Sequence, residues 1–232
     1  MSNSKYQISE KELAASIDHA ILRPETKKEQ IEQLCTEAEQ YGFYSVCVNP
    51  RWVAFAADRL HDSKVKVGSV VSFPFGADST KTKTAQAKEV IFAGADEIDM
   101  VADLAALIDD DERYLLEQLQ AVLKICRSMR PAVCLKVIIE SAALTREQKI
   151  FACRIAQKAG VDFIKTSTGF HPAGGTTVED VKLFKETAPG CKVKASGGIK
   201  TVQQAVAMLN AGAERLGMSS GVQIIDQLRA GQ

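Results

Sequence analysis

Two lysines stand at the ends of short apolar stretches, each followed by small residues. Asp162-Phe163-Ile164-Lys165-Thr166-Ser167-Thr168-Gly169-Phe170 carries Lys165 to the point where an apolar run gives way to hydroxyls and glycine. Cys191-Lys192-Val193-Lys194-Ala195-Ser196-Gly197-Gly198 repeats the design with Lys194. A lysine at the end of an apolar strand is poorly solvated, which favours the neutral amine. A neutral amine attacks carbonyls, the first step of Schiff-base chemistry. Either stretch alone is read more plainly as a lysine snorkelling to water; their repetition favours chemistry. Like charges on neighbouring strands would push one of the two amines toward neutrality. Asp99, in Glu97-Ile98-Asp99-Met100-Val101, supplies a carboxylate that accepts from either lysine and moves protons through a water. The competing reading is a buried Lys–Asp–Lys bridge that only fills space. Lys136, in Leu135-Lys136-Val137-Ile138-Ile139-Glu140, is a third inward candidate, with a counter-charge as its simpler role.

A second constellation consists of Gly197-Gly198 and Gly217-Met218-Ser219-Ser220-Gly221. Small residues free backbone N–H groups, and Ser219-Ser220 would start a final helix whose positive dipole end attracts an anion. Helix capping alone would explain the serines, so the expectation of a phosphate site rests on both halves occurring together.

These residues need a scaffold, and the chain alternates amphipathic helices with short apolar segments from end to end. A short N-terminal helix is expected near 9–15, and strands at 17–22, 44–48, 65–72, 97–101, 133–140, 163–166, 192–195 and 215–217. Thr26-Lys27-Lys28-Glu29 reads as a capping box that opens a helix with Ile31, Leu34, Cys35 and Ala38 on one face and Gly42 as its stop. The same start signal recurs at Thr145 with Gln148, Thr201 with Gln204 and Thr177 with Asp180. Eight apolar strands, each followed by a helix, predict a TIM (β/α)8 barrel in one domain spanning 1–232. An open doubly wound sheet is the alternative, but no GxGxxG follows an early strand.

An internal repeat orders the candidates. Ala93-Gly94-Ala95-Asp96-Glu97-Ile98-Asp99 matches Ala159-Gly160-Val161-Asp162-Phe163-Ile164-Lys165 and Ala211-Gly212-Ala213-Glu214-Arg215-Leu216-Gly217. The fifth residue after each glycine is Asp99, Lys165 or Gly217, and Gly42 puts Cys47 in the same place. Similar turns would bring all four to one height near the C-terminal mouth, where barrel active sites are built.

Bulk properties narrow the classes. Lys+Arg and Asp+Glu are both 29 in 232 residues, so neither nucleic acid nor an anionic membrane surface is an expected partner. No apolar run reaches the ~20 residues of a membrane helix. The stretch 1–6 is polar, with no apolar signal core, so the expected compartment is the cytoplasm. Six dispersed cysteines lack CxxC spacing, and most read as small core residues. Three dispersed histidines give a metal site nothing to stand on.

The set Asp18-His19, Val46-Cys47-Val48-Asn49-Pro50, Phe73-Pro74-Phe75-Gly76, Glu97–Val101, Leu135-Lys136-Val137-Ile138-Ile139-Glu140, Phe163 to Phe170, Lys194-Ala195-Ser196-Gly197-Gly198-Ile199 and Gly217-Met218-Ser219-Ser220 strongly resembles the deoxyribose-phosphate aldolase family, over about residues 17–222. The resemblance implies a cofactor-free class I aldolase that reversibly cleaves 2-deoxy-D-ribose 5-phosphate to acetaldehyde and D-glyceraldehyde 3-phosphate. It makes Lys165 the Schiff-base lysine, Lys194 the residue that lowers its pKa, and Asp99 the proton relay. It further implies substrate contacts at Thr168, Gly169, Gly197, Gly198, Gly217, Ser219 and Ser220, support from Asp18, Cys47 and Lys136, and a homo-oligomer, dimer or tetramer. Ala20 stands where threonine is common, Ser72 where glycine usually precedes Phe-Pro, and Met218 where a small residue is usual. No tyrosine follows Tyr114, so the C-terminal tyrosine of some members has no counterpart. Two other readings are a different phosphate-binding barrel enzyme, such as a sugar-phosphate isomerase, and a catalytically silent barrel that binds a sugar phosphate.

Overall fold

The computed structural model describes residues 8–231; the stretch 1–6 examined for a signal core, and Gln232 at the end of the expected domain, lie outside them. Eight parallel strands close on themselves in chain order: β1 (Ile17–Ile21), β2 (Ser45–Val48), β3 (Lys66–Val71), β4 (Glu97–Val101), β5 (Cys134–Ile138), β6 (Phe163–Lys165), β7 (Lys192–Ser196) and β8 (Arg215–Met218). All sit where the apolar segments predicted, most of them trimmed or extended by one or two residues. The expected N-terminal helix is α1 (Glu10–Ala14), which packs on the last helix. The crossovers carry α2 (Lys28–Tyr41), α3 (Val53–Arg59), α4 (Thr80–Phe92), α5 (Leu104–Ile108), α6 (Glu112–Ser128), α7 (Arg146–Ala159), α8 (Val178–Thr187), α9 (Val202–Asn210) and α10 (Gly221–Ala230).

Helix starts follow local hydrogen-bond chemistry. Thr145 with Gln148 and Thr201 with Gln204 form reciprocal capping boxes, and the Thr177 hydroxyl accepts from the Asp180 N–H at 3.1 Å. The expected box at Thr26 is displaced by one residue. The Thr26 hydroxyl donates to the Arg23 carbonyl at 2.7 Å, and Gln30 instead accepts from the Lys27 N–H at 2.9 Å, so α2 starts at Lys28. Its apolar face and its left-handed Gly42 stop are as expected. After β4 there are two helices where one was expected, because Asp103 and Asp111 each cap a new start at 3.1 Å.

The internal repeat is a strand clamp. Asp96, Asp162 and Glu214 each accept a backbone N–H from the start of the preceding strand, at Val67 (2.9 Å), Leu135 (2.8 Å) and Val193 (2.9 Å). Lys66, Arg127 and Lys185 hold those carboxylates from the other side. Each clamp fixes the register of two neighbouring strands, and the register decides which side chains share a level inside the barrel.

Following that register around the barrel sorts the inward positions into layers drawn from alternate strands. Cys47, Asp99, Lys165 and Gly217, from the even strands, form one layer, with Ala20, Val70, Ile138 and Ser196 of the odd strands above it at the mouth. Asp18, Gly68, Lys136 and Lys194, from the odd strands, lie below, and Ser45, Glu97, Phe163 and Arg215 lie below those. The outward residues Val46, Ile98, Leu135, Ile164, Val193 and Leu216 are fully buried against the helices. Burying each such side chain stabilises the fold by ~1.5–3 kcal/mol. That apolar shell balances an interior which is polar to an unusual degree.

Candidate active site

Strand alternation points Asp99 into the barrel at full burial, and three lysines converge on it. Lys165 Nζ and Lys194 Nζ both donate to Asp99 Oδ2 at 2.7 Å, while Lys136 Nζ donates to Oδ1 at 2.9 Å. Lys194 roots one layer deeper than Lys165, so its stem climbs the barrel to reach the shared oxygen. Gly217 makes that climb possible: a Cβ there would stand 2.9 Å from Lys194 Cε and 2.9 Å from Ser196 Cβ.

The environment separates the two amines. Burial holds Lys165 below the ordinary lysine value; Asp99 pulls the other way, and the Lys194 ammonium adds to the lowering. Burial also acts against the charge on Lys194, but Asp18, 2.5 Å away, and Asp99 outweigh it and raise its pKa. Lys136 is likewise raised despite burial, because Asp99 and Glu97 flank it at 2.9 and 2.7 Å. Burial would raise Asp99, but the three lysines outweigh it and hold the carboxyl well below the usual range. Lys165 is therefore the amine that gives up its proton more readily, and Lys194 the one that keeps it. Cys47 adds no second nucleophile, since burial pushes its thiol up to about 11. Lys136 occupies the counter-charge position expected of it. Both causes read from the sequence, poor solvation and the charge of Lys194, act on Lys165, and burial is the larger.

The mouth opens into a cavity of about 870 Å³ lined by Cys47, Lys165, Thr168, Gly169, Lys194, Gly197, Gly198, Gly217, Ser219 and Ser220. Every residue read from the sequence as a substrate contact therefore borders one space. Asp99, Asp18 and Lys136 do not line it; they lie beneath, so Lys165 and Lys194 are the members of the lysine–carboxylate cluster that face a ligand. Gly169, Gly197 and Gly198 are all left-handed, with φ of 82°, 90° and 83°. At Gly198 an added Cβ would meet nothing within 4 Å, so backbone conformation rather than crowding calls for glycine there. Ser220 behaves otherwise than expected. It precedes α10, but its hydroxyl caps nothing and donates to the Ile199 carbonyl at 2.7 Å, tying the loop after β7 to the loop after β8.

Met218 and Ser72 show what two departures from the family pattern mean. Alternation turns Met218 away from the barrel interior into the apolar core, while Gly217 faces inward. Ser72 sits at φ 54°, a conformation in which glycine is unstrained.

Sequence reasoning missed four supporting residues. Glu140 accepts from the Thr168 hydroxyl at 2.5 Å and from its N–H at 3.2 Å, fixing the loop after β6. Arg215 reaches Asp18 through Nε at 2.7 Å and Glu97 through Nη2 at 2.9 Å, and Ser45 donates to Asp18 at 2.7 Å. Period-two alternation was the available signal: Glu97 and Asp99, Ser45 and Cys47, and Arg215 and Gly217 are each two apart and share a strand face.

A family profile described as DeoC/LacD family aldolase matches residues 13–227. A deoxyribose-phosphate aldolase of Dictyoglomus turgidum is 48% identical over 94% of this chain and 97% of its own length. One from Thermococcus gammatolerans is 49% identical over 94% of this chain and 97% of its own length. Among solved structures, a tetrameric deoxyribose phosphate aldolase from Aeropyrum pernix superposes with a TM-score of 0.89 at 30% identity, covering 96% of this chain and 93% of that one.

Proposed function

The chain belongs to the DeoC/LacD family aldolases, and we propose that it is the class I member that reversibly cleaves 2-deoxy-D-ribose 5-phosphate to acetaldehyde and D-glyceraldehyde 3-phosphate. One observation carries the reading. A buried lysine held below its ordinary pKa lines the mouth cavity and shares Asp99 Oδ2, at 2.7 Å, with a second lysine whose pKa is raised. A sugar-phosphate isomerase or a silent binding barrel would have no use for that pairing.

In this mechanism the neutral amine of Lys165 adds to C1 of the open-chain aldehyde and expels water, giving an iminium. The iminium is the electron sink for the C2–C3 bond. As that bond breaks, the C3 hydroxyl proton passes to the Asp99 carboxylate through a water and Lys194, the member of the pair that faces the cavity. C3–C5 leave as glyceraldehyde 3-phosphate. The remaining enamine takes a proton at C2, and water hydrolyses the iminium to acetaldehyde and free Lys165. The lysine itself supplies the electron sink, so no cofactor has a part in these steps.

The 5-phosphate is assigned to the loops after β7 and β8, where Gly197, Gly198, Gly217, Ser219 and Ser220 border the cavity, with Thr168 and Gly169 holding the sugar. The chain acts as a single barrel domain and as a cytoplasmic homo-oligomer in this reading. The tetrameric Aeropyrum relative supports the assembly. Among the described residues no helix is long and apolar enough to cross a membrane. The test is reductive trapping: borohydride with acetaldehyde or the sugar phosphate should attach the carbon skeleton to Lys165. An adduct mapped to Lys136 or Lys194, or none under turnover, would overturn the assignment.

A further inference from the structure

The charged groups under the mouth form a closed ring. Asp99 pairs with Lys136 (2.9 Å), Lys136 with Glu97 (2.7 Å), Glu97 with Arg215 (2.9 Å), Arg215 with Asp18, Asp18 with Lys194 (2.5 Å), and Lys194 with Asp99 again (2.7 Å). Its members are three carboxylates and three cations, all at most 5% exposed, so the ring is neutral when every member is ionised. Lys165 hangs from it by one contact, to Asp99 Oδ2 at 2.7 Å, an oxygen already taken by Lys194. Protonated Lys165 would give the buried cluster a net positive charge. Low-dielectric surroundings make an uncompensated charge costly, and the usual outcome is that a titratable group neutralises.

We propose that Arg215, whose hydrogen-bond partners are Asp18, Glu97 and Ser45, is a positioning residue for the Schiff-base amine. By completing the charge ring it makes Lys165 the surplus cation of the barrel interior. The inference rests on the reading of Lys165 as the reacting amine. Each ring lysine has two carboxylates to itself or shared, whereas Lys165 has one, shared with both of them. The two thiols nearest the cluster add no charge at neutral pH. The Cys47 and Cys134 thiols are pushed up to about 11 and about 12 by burial. Arg215 also lies against the Tyr44 ring at 3.4 Å, and Ser45 contributes only a hydroxyl. Lys192, the one further cation on the strand face of Lys194, is solvent-exposed at the start of β7, with its Nζ 5.6 Å from the Phe163 ring centre.

Charge counting gives variants with opposite signs. Arg215→Met leaves three carboxylates facing three lysines, a set that is neutral only with Lys165 protonated. Glu97→Gln, nearly isosteric, leaves two carboxylates facing four cations and disfavours that proton further. The double variant Arg215→Met with Glu97→Gln restores the single surplus cation, and Arg215→Lys keeps it throughout. A packing role alone predicts no such reversal.

The experiment measures the rate at which acetic anhydride acylates Lys165 as a function of pH, read by peptide mass spectrometry, beside the pH dependence of kcat/KM. The labelling midpoint should move up by roughly one unit in Arg215→Met and down in Glu97→Gln, the scale set by a charge near a titrating group. It should return in the double variant and stay in place in Arg215→Lys. Shifts of the same sign in the two single variants, or no shift in either, would overturn the proposal. If Arg215→Met does not fold, Glu97→Gln decides alone, with a downward shift in support and any other result against. Labelling reads the amine whether or not it forms a Schiff base. Midpoints that move as expected without borohydride trapping at Lys165 would therefore sink the aldolase assignment and leave the charge ring standing.

Discussion

Lys165 and Lys194 donate to the same carboxylate oxygen, Asp99 Oδ2, each at 2.7 Å. Two ammonium groups so placed repel one another, and the proton is lost more readily from the one with fewer carboxylate partners. Asp18, which holds only Lys194 of the pair, breaks the symmetry between them.

Removing Lys194 should therefore restore the proton to Lys165. In Lys194→Leu, Asp99 has one cation fewer and pulls harder on the Lys165 ammonium, so the amine titrates at higher pH than in the parent. The rising limb of the pH–rate profile should move upward, and activity at neutral pH should fall by ~10²-fold or more. Asp18 keeps Arg215 and Ser45, so the barrel stays folded. Lost activity with an unshifted profile would mean that Lys194 does not act on the Lys165 amine.

Gly217 tests the path of the Lys194 stem. Gly217→Ala sets a methyl 2.9 Å from Lys194 Cε, close enough that the stem or the strand must move. Overpacking of this kind costs ~1–3 kcal/mol. The expected result is a lower Tm together with a fall in kcat, since Lys194 is displaced from Asp99. A fall confined to phosphate affinity, read as KM for the phosphorylated sugar alone, would show instead that the glycine serves the ligand.

Much of this arrangement was legible before the fold. The glycine-to-strand repeat placed Cys47, Asp99, Lys165 and Gly217 in one layer, because equal turns entering strands of one barrel give equal heights. The third residue after the same glycines is Ser45, Glu97, Phe163 or Arg215, the layer beneath, and alternation alone could have exposed it. Pairings were not legible: nothing local says that Arg215 bridges Asp18 and Glu97, since all three lie far apart in the sequence. Nor could the chain show that Thr26 and Ser220 spend their hydroxyls on carbonyls rather than on helix caps. Such choices depend on loop paths that neighbouring crossovers determine.

Lys83 lay outside any motif and yields a stability prediction. It is fully buried between α4 and α6, donating to the Val101 carbonyl at 2.8 Å and to Gln118 Oε1 at 2.7 Å, neither of them charged. Burial pushes its pKa down to about 8, with Asp103 and Asp78 pulling the other way. A lysine lowered on folding destabilises the fold wherever the unfolded chain is protonated, and the penalty shrinks as pH rises from the folded pKa toward the unfolded value near ~10.4. The unfolding free energy of the parent minus that of Lys83→Met should therefore increase between about pH 8 and pH 10. Guanidinium titrations across that range provide the measurement, and a flat or falling difference would mean that Lys83 stays charged in its buried setting.

The phosphate assignment is tested at Ser219, which borders the cavity and is exposed, rather than at Ser220, whose hydroxyl ties two loops together. In that assignment the grip on the 5-phosphate lies at the far end of the sugar from C1 and would orient the chain for attack by Lys165. Binding energy from a remote group of this kind is expressed in the chemical step as well as in affinity. Unphosphorylated 2-deoxyribose should accordingly react with a kcat/KM lower by ~10²-fold or more, and inorganic phosphate should compete with the phosphorylated sugar. Ser219→Asp adds a carboxylate beside the left-handed Gly197 and Gly198 and the first turn of α10. Like-charge repulsion should then erase most of the preference for the phosphorylated sugar, while the unphosphorylated sugar reacts nearly as before. Steady-state kinetics with both sugars on the parent and the variant make the comparison. Equal damage to the two substrates would mean that Ser219 supports the barrel mouth, and the phosphate would have to be sought against the Arg23 side of the cavity.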